Sequence, residues 1–138
     1  MADLTALFDA ALAAYGRAYA PYSLFSVGAA ILADDGRIYA AANVENAAYP
    51  EGICAETAAL AAMVLAGGRE AVEVVVCGPR LEPVLPCGGC RQRLREFGEP
   101  GLIVHAVAED GRLLATYALA DLLPHAFGPG HLTARGST

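Results

Sequence analysis

Cys54-Ala55-Glu56 and, further along, Pro86-Cys87-Gly88-Gly89-Cys90 are the residues of this chain best suited to chemistry. Soft thiolate ligands in a tetrahedral arrangement favour Zn²⁺. A structural zinc site closes with four protein ligands, whereas a catalytic one uses three and keeps a position for water. Cys54, Cys87 and Cys90 supply three thiols, and neither cluster contains a fourth ligand. Glu56, two residues from Cys54, points away from the ligand face of a helix but has the reach to touch water on the open position. The spacing therefore predicts a working metal. Two plainer readings stand beside it. One is a closed four-cysteine site that recruits Cys77, or reduced core thiols with no metal. The other makes Glu56 an acid favoured in a first helical turn by the helix dipole.

Those residues must be positioned by the elements around them. Cys54 is expected to open a helix that runs to Ala66 and stops at Gly67-Gly68. Pro86 precedes another expected helix, Cys87 to Phe97, closed by Gly98. Two helix starts aimed at one point bring unpaired N–H groups and positive dipole ends, which stabilise thiolates. Leu4, Leu7, Phe8, Ala11, Leu12, Tyr15 and Tyr19 recur at helical steps, with Asp3 as a cap and Pro21 at the end. Ser26 to Ala33 and Arg37 to Ala42 flank Asp34-Asp35-Gly36, a hairpin signal. The polar stretch Asn43 to Ile53 reads as a loop. Val72 to Cys77 and Leu102 to Ala108 are apolar runs of strands buried on both faces. Leu113 to Tyr117 makes a fifth strand after the turn Glu109-Asp110-Gly111, and a last helical turn begins at Asp121-Leu122-Leu123. Strands alternating with helices predict an α/β domain, a sheet covered on both faces, spanning 1–138 with a loop-like tail from about 128.

A chain of 138 residues can bury a real core without staples. Its net charge of −6 and lack of a Lys/Arg run disfavour nucleic acid and leave a small neutral substrate as the compatible partner. The longest apolar stretch, Ala58 to Ala66, falls short of the roughly 20 residues a bilayer requires, so no membrane role is expected. The amphipathic N-terminus predicts no secretory signal, and the C-terminus carries no lipidation motif. A cytoplasmic chain with four cysteines uses them more naturally as metal ligands than as disulfides.

C-x-E followed by P-C-x-x-C is the three-cysteine form of the zinc deaminase signature. Pro21-Tyr22-Ser23, Phe25-Ser26-Val27-Gly28-Ala29-Ala30, Asn43-Val44-Glu45-Asn46-Ala47 and Cys90-Arg91-Gln92 extend the match, as do Leu122-Leu123-Pro124 and Phe127-Gly128-Pro129. In this order they resemble the small cytidine deaminases, from about Tyr19 to Leu132. The resemblance implies the three-layer α-β-α fold of that family, with a mixed five-stranded sheet, and one Zn²⁺ per chain. It implies hydrolysis of cytidine and deoxycytidine to uridine and deoxyuridine with release of ammonia, in pyrimidine salvage. Glu56 would take a proton from water, protonate N3 of the pyrimidine, then carry a second proton to the amino group.

The same resemblance assigns substrate contacts. Asn43 and Glu45 match residues that bind ribose hydroxyls, and Phe25 matches an aromatic packed on the base. Ala55 offers a backbone N–H to the base carbonyl, and Leu85 a backbone carbonyl near the departing amine. Ala47 and Tyr49 match the ribose end and, with Phe127, positions that serve a neighbouring subunit's pocket. The short length resembles the homotetrameric branch. One departure concerns charge. Where the family often carries arginine after the glutamate, this chain has Thr57, leaving Arg91 beside Cys90. Thr57 is then expected to leave the thiolates stronger donors and the zinc less electrophilic, and Thr57→Arg to raise activity. Two other functions are consistent with the cysteines alone: deamination of another cytosine nucleoside such as blasticidin S, and a non-catalytic binding module stabilised by zinc. His105, in a strand pattern, reads as a satisfied core or edge residue, and His125 and His131 as solvent or boundary residues.

Overall fold

The computed structural model describes residues 4–133. Its centre is a five-stranded sheet of order β2-β1-β3-β4-β5, formed by β1 (Gly28–Ala33), β2 (Ile38–Ala42), β3 (Ala71–Gly78), β4 (Ile103–Ala108) and β5 (Leu113–Ala118). Only β3 and β4 pair in parallel, and the other neighbours are antiparallel. The mixed sheet follows from the connections. Short connections, 34–37 and 109–112, join β1 to β2 and β4 to β5, whereas a parallel pair needs a crossover long enough to hold a helix. Between β3 and β4 that crossover is α3 (Gly88–Phe97).

The valine run makes the sheet a two-sided core. Val74, Val76 and Val104 join Ile31, Leu60, Met63 and Leu94 beneath α2 (Ala55–Leu65) and α3. Val75, Cys77 and Val107 pack on the opposite face with Leu7 and Ala11 of α1 (Leu4–Tyr15). The layers are α-β-α. Among the described residues, no helix is long and apolar enough to cross a membrane.

Gly28 sets how closely α1 lies on the sheet. A Cβ there would stand 2.3 Å from the Ala11 carbonyl oxygen and 2.4 Å from the Tyr15 nitrogen. α1 ends in a tight turn at Gly16, where the Arg17 N–H reaches back to the Ala14 carbonyl at 2.9 Å. The helical spacing continues to Tyr19, but the helix stops at Tyr15, and Tyr19 instead bridges to Val44 in the loop that leads to the site. Asp3, the expected cap, lies outside the described residues.

Further along the chain, the polar stretch after β2 is a loop, as expected, held by a Val44–Ile53 bridge and a 3₁₀ turn at Tyr49–Glu51. The last helical turn, α4 (Leu119–Leu122), starts slightly before Asp121. The tail corrects the expectation of a loop from 128, because Pro129–Thr133 form a short helix, α5. Proline at its first position is pre-set for helical φ, and the His131 ring stacks on Phe127 at 5.0 Å.

Candidate active site

Each thiol cluster sits at a helix start. Cys54 is the N-cap of α2 and Cys87 the N-cap of α3, both in extended backbone conformation. The expected helices therefore begin one residue later than the cysteines, which leaves both sulfurs just outside the first turn. In α2 the Ala58 N–H returns to the Cys54 carbonyl at 3.0 Å. The amides of Ala55, Glu56 and Thr57 precede that ladder and face the cleft end of the helix.

The three sulfurs meet. Cys54, Cys87 and Cys90 place their Sγ atoms within 4.8 Å of one another, and Cys54 and Cys87 are 3.8 Å apart. Two thiolates at a Zn–S distance of ~2.3 Å on a tetrahedron stand about 3.8 Å apart. The donor set thus fits zinc in both chemistry and spacing. Cys77 is not part of it. It lies in the core under α1, on the other side of the sheet, with its Sγ near the Ala108 carbonyl at 3.7 Å. A four-cysteine site is excluded, and among the described residues the group able to hold a metal is these three thiols.

Glu56 is 4% exposed, and its Oε1 lies 3.8 Å from the Cys90 sulfur. Burial pushes its carboxyl above the usual range. Burial also raises the Cys54 thiol, to which the neighbouring Cys87 adds. The Cys90 thiol is pushed up to about 12 by burial first and by Glu56 second. Cys87 moves the other way, lowered mainly by a backbone hydrogen bond from Cys90. A carboxyl that holds its proton more tightly than usual suits a group that must take and return protons near neutrality.

Val27, Asn43, Ala55, Glu56, Val84 and Leu85 line a cleft of about 140 Å³ together with Cys54 and Cys87. Asn43, Ala55 and Leu85 thus line the same cleft as two of the thiols. Asn43 is also a clasp. Its Nδ2 donates to the Phe25 carbonyl and its Oδ1 accepts from the Val27 N–H, both at 2.9 Å. Phe25 is half-buried next to the cleft but absent from its lining, with the Arg80 guanidinium carbon 5.4 Å from its ring centre.

Glu45 lines a neighbouring hollow of about 340 Å³ with Tyr22, Ser23, Asn46, Tyr49 and Gly52. Its carboxylate already accepts from the Tyr22 and Ser23 amides at 2.9 and 3.1 Å and from the Ser23 hydroxyl. Ala47 and Tyr49 are exposed on the same segment, and Phe127 is exposed near the C-terminal end of the described chain. The Phe127 carbonyl is held by the Gln92 side chain of α3 at 2.8 Å.

Two arginines of α3 lie near the thiols and have different partners. Arg91 donates to the Pro86 carbonyl at 2.7 Å and the Leu122 carbonyl at 2.8 Å, so it ties the turn before Cys87 to α4. Arg93, which sequence reasoning passed over, donates to Thr57 Oγ1 at 3.3 Å. Thr57 Oγ1 in turn lies 3.3 Å from Cys90 Sγ. One signal was available: Arg93 stands three residues after Cys90, on the same helical face. Ser23 as the partner of Glu45 had no such signal, since the contact joins two loops far apart in sequence.

Comparisons with known proteins agree with this geometry. The family model for the cytidine and deoxycytidylate deaminase zinc-binding region matches residues 1–106. A cytidine deaminase of Mycobacterium tuberculosis is 42% identical over 111 residues, 80% of this chain and 79% of that protein. One of Sporosarcina psychrophila is 40% identical over 131 residues, 95% of this chain and 96% of that protein. The crystal structure of cytidine deaminase from Burkholderia pseudomallei superimposes with a TM-score of 0.84 at 42% identity, covering 91% of this chain and 99% of that one. The three-thiol zinc site, the buried glutamate beside it and these likenesses together place the chain in the cytidine and deoxycytidylate deaminase family.

Proposed function

We propose that this chain, working as one domain over 1–138, is a zinc-dependent hydrolase that converts cytidine and deoxycytidine to uridine and deoxyuridine. The observation that carries the reading is a buried carboxyl, Glu56, beside three thiols close enough to hold one metal ion; a zinc held by three protein ligands would keep a position for water. Zinc held by Cys54, Cys87 and Cys90 supplies a Lewis acid that makes water nucleophilic near neutral pH. Glu56 accepts the proton that the attacking water gives up and delivers it to N3 of the pyrimidine. It then passes the second proton to the amino nitrogen, which leaves C4 as ammonia. Atoms balance: one water enters, one ammonia leaves, and Glu56 ends as it began.

The remaining residues orient the nucleoside. The Ala55 N–H at the open start of α2 donates to the base carbonyl, and the Leu85 carbonyl accepts from the amine. Asn43 and Glu45 hold the ribose hydroxyls. Asn43 has a second amide hydrogen and a second lone pair beyond its two internal bonds, and Glu45 keeps lone pairs beyond those filled by the Ser23 turn. Phe25 packs against the base edge. A homotetramer brings Ala47, Tyr49 and Phe127 to neighbouring pockets. Their exposure, 76% for Tyr49 and 55% for Phe127, favours such contacts, as does the mostly apolar hollow that Leu60, Ala61, Val64, Leu65 and Phe97 line together with Thr57 and Arg93. The chain then serves pyrimidine salvage in the cytoplasm. The test is ammonia release from a panel of cytosine nucleosides, with zinc per chain measured in parallel. Turnover of cytidine and deoxycytidine with one zinc per chain is expected, and one zinc with no turnover of any nucleoside defeats the reading.

A further inference from the structure

We propose that Arg93 is a positioning residue that carries positive charge to the zinc thiolates through Thr57. The direction of the contacts follows from donor chemistry. A guanidinium can only donate, so the 3.3 Å contact from Arg93 Nη1 fills a lone pair of Thr57 Oγ1. The hydroxyl hydrogen is then left for Cys90 Sγ, also 3.3 Å away. A thiolate can only accept. The chain of donors therefore runs one way, from α3 across to α2 and back to a ligand on α3.

The space for this relay is built. Gly89, between the two cysteines of the second cluster, lies directly under the Arg93 guanidinium. A Cβ at Gly89 would be 3.0 Å from Nη1 and 3.7 Å from Cζ. A side chain at this position would press on the guanidinium, which would have to give by a few tenths of an ångström. Arg91 does not compete for the role, because its guanidinium is engaged by the Pro86 and Leu122 carbonyls.

The need for a cation comes from the site itself, and the argument rests on the zinc reading given above. Three thiols without metal are neutral when protonated. Three thiolates on Zn²⁺ sum to −1, with the protons released to solvent. A fixed positive charge beside the sulfurs stabilises the loaded state over the empty one, so its loss weakens zinc binding. The missing arginine next to Glu56 is thereby replaced from a different helix. Thr57→Arg would set two guanidiniums side by side, which revises the expectation that this substitution raises activity.

The experiment compares the full chain with Arg93→Ala, Arg93→Lys, Thr57→Val and the Arg93→Ala/Thr57→Val double variant. Zinc affinity is read by chelator competition at fixed pH, and the thiolate-to-metal charge-transfer band is read on the cobalt form. Arg93 is exposed in the single chain, so its truncation leaves the core intact; because it lines the hollow proposed for subunit contacts, circular dichroism and gel filtration verify fold and assembly for every variant. Arg93→Ala should weaken zinc about tenfold, at the low end of the 10–100-fold typical of residues that support metal ligands, and shift the cobalt band to lower energy. Thr57→Val should do the same, the double variant should be no worse than either single one, and Arg93→Lys should recover part of the loss. Wild-type affinity and band energy in Arg93→Ala, or fully additive losses in the double variant, overturn the relay. A wild-type protein that binds neither metal overturns the zinc reading itself, which separates the two failures.

Discussion

Asn43 Nδ2 holds the Phe25 carbonyl oxygen at 2.9 Å, so the side chain proposed to bind ribose also closes the wall of the cleft. Its other end receives the Val27 N–H. Asn43→Ala leaves both backbone groups without that partner, at a cost of about 1–3 kcal/mol. A lower urea midpoint and a raised KM for cytidine should appear together. Asn43→Asp keeps the acceptor for Val27 but sets an oxygen against the Phe25 carbonyl, so it should not restore the midpoint. An unchanged midpoint in Asn43→Ala would argue against the clasp.

Glu56→Gln removes the proton carrier with almost no change of shape. General acid–base groups typically contribute about 10²–10⁴-fold, and a loss of at least that size is expected because one residue serves both transfers. Zinc per chain should stay the same, since the ligands are Cys54, Cys87 and Cys90. Ammonia release at the wild-type rate would remove Glu56 from the mechanism.

The Glu45 carboxyl is held below its usual range, first by the Ser23 hydroxyl and then by the amides of Ser23 and Tyr22. With a folded value below the unfolded one, its contribution is complete above the ordinary glutamate range. It is lost as pH falls through that range and then through the folded value. The stability gap between wild type and Glu45→Gln should therefore shrink steadily in acid and be constant at neutral pH. Urea midpoints across pH 3–7 check this, and a gap that widens in acid reverses the assignment.

Gly28→Ala tests the seat of α1. The added carbon meets main-chain atoms of Ala11 and Tyr15, which no rotamer change can relieve. Overpacking typically costs about 1–3 kcal/mol, and a backbone clash belongs at or above the upper end. Thermal melting should fall markedly while the metal ligands, on the other face of the sheet, are unaltered. A melting point within a degree of wild type would mean that the helix shifts freely.

The elements that carry chemistry could be read from the sequence because their signals are local. Pro86 before Cys87, Gly67 after α2 and the valine run of β3 each mark structure within a few residues. Glu56 and the three cysteines followed from spacing and from a family resemblance. The misses have another origin. Tyr19, in helical step with α1, instead bridges to Val44 in a distant loop, and the Arg93–Thr57 contact joins two helices. His105 was read as a satisfied residue, and its partners are Glu73 at 2.7 Å on the next strand and Thr116 at 2.9 Å on β5. Contacts of this kind depend on how the sheet is assembled, so the sequence can suggest that a partner exists without naming it.

Cys77 sits across the sheet from the other three cysteines, fully buried, with its thiol raised to about 11 by burial. This separation gives the molecule a built-in gauge of metal occupancy. A thiol-directed reagent applied to the loaded, folded protein meets sulfurs tied to zinc and one shut in the core. Chelation frees the site sulfurs, of which Cys87 is exposed, while Cys77 stays silent until the sheet itself opens. Labelling in two stages would then count loss of metal and loss of fold separately on the same chain.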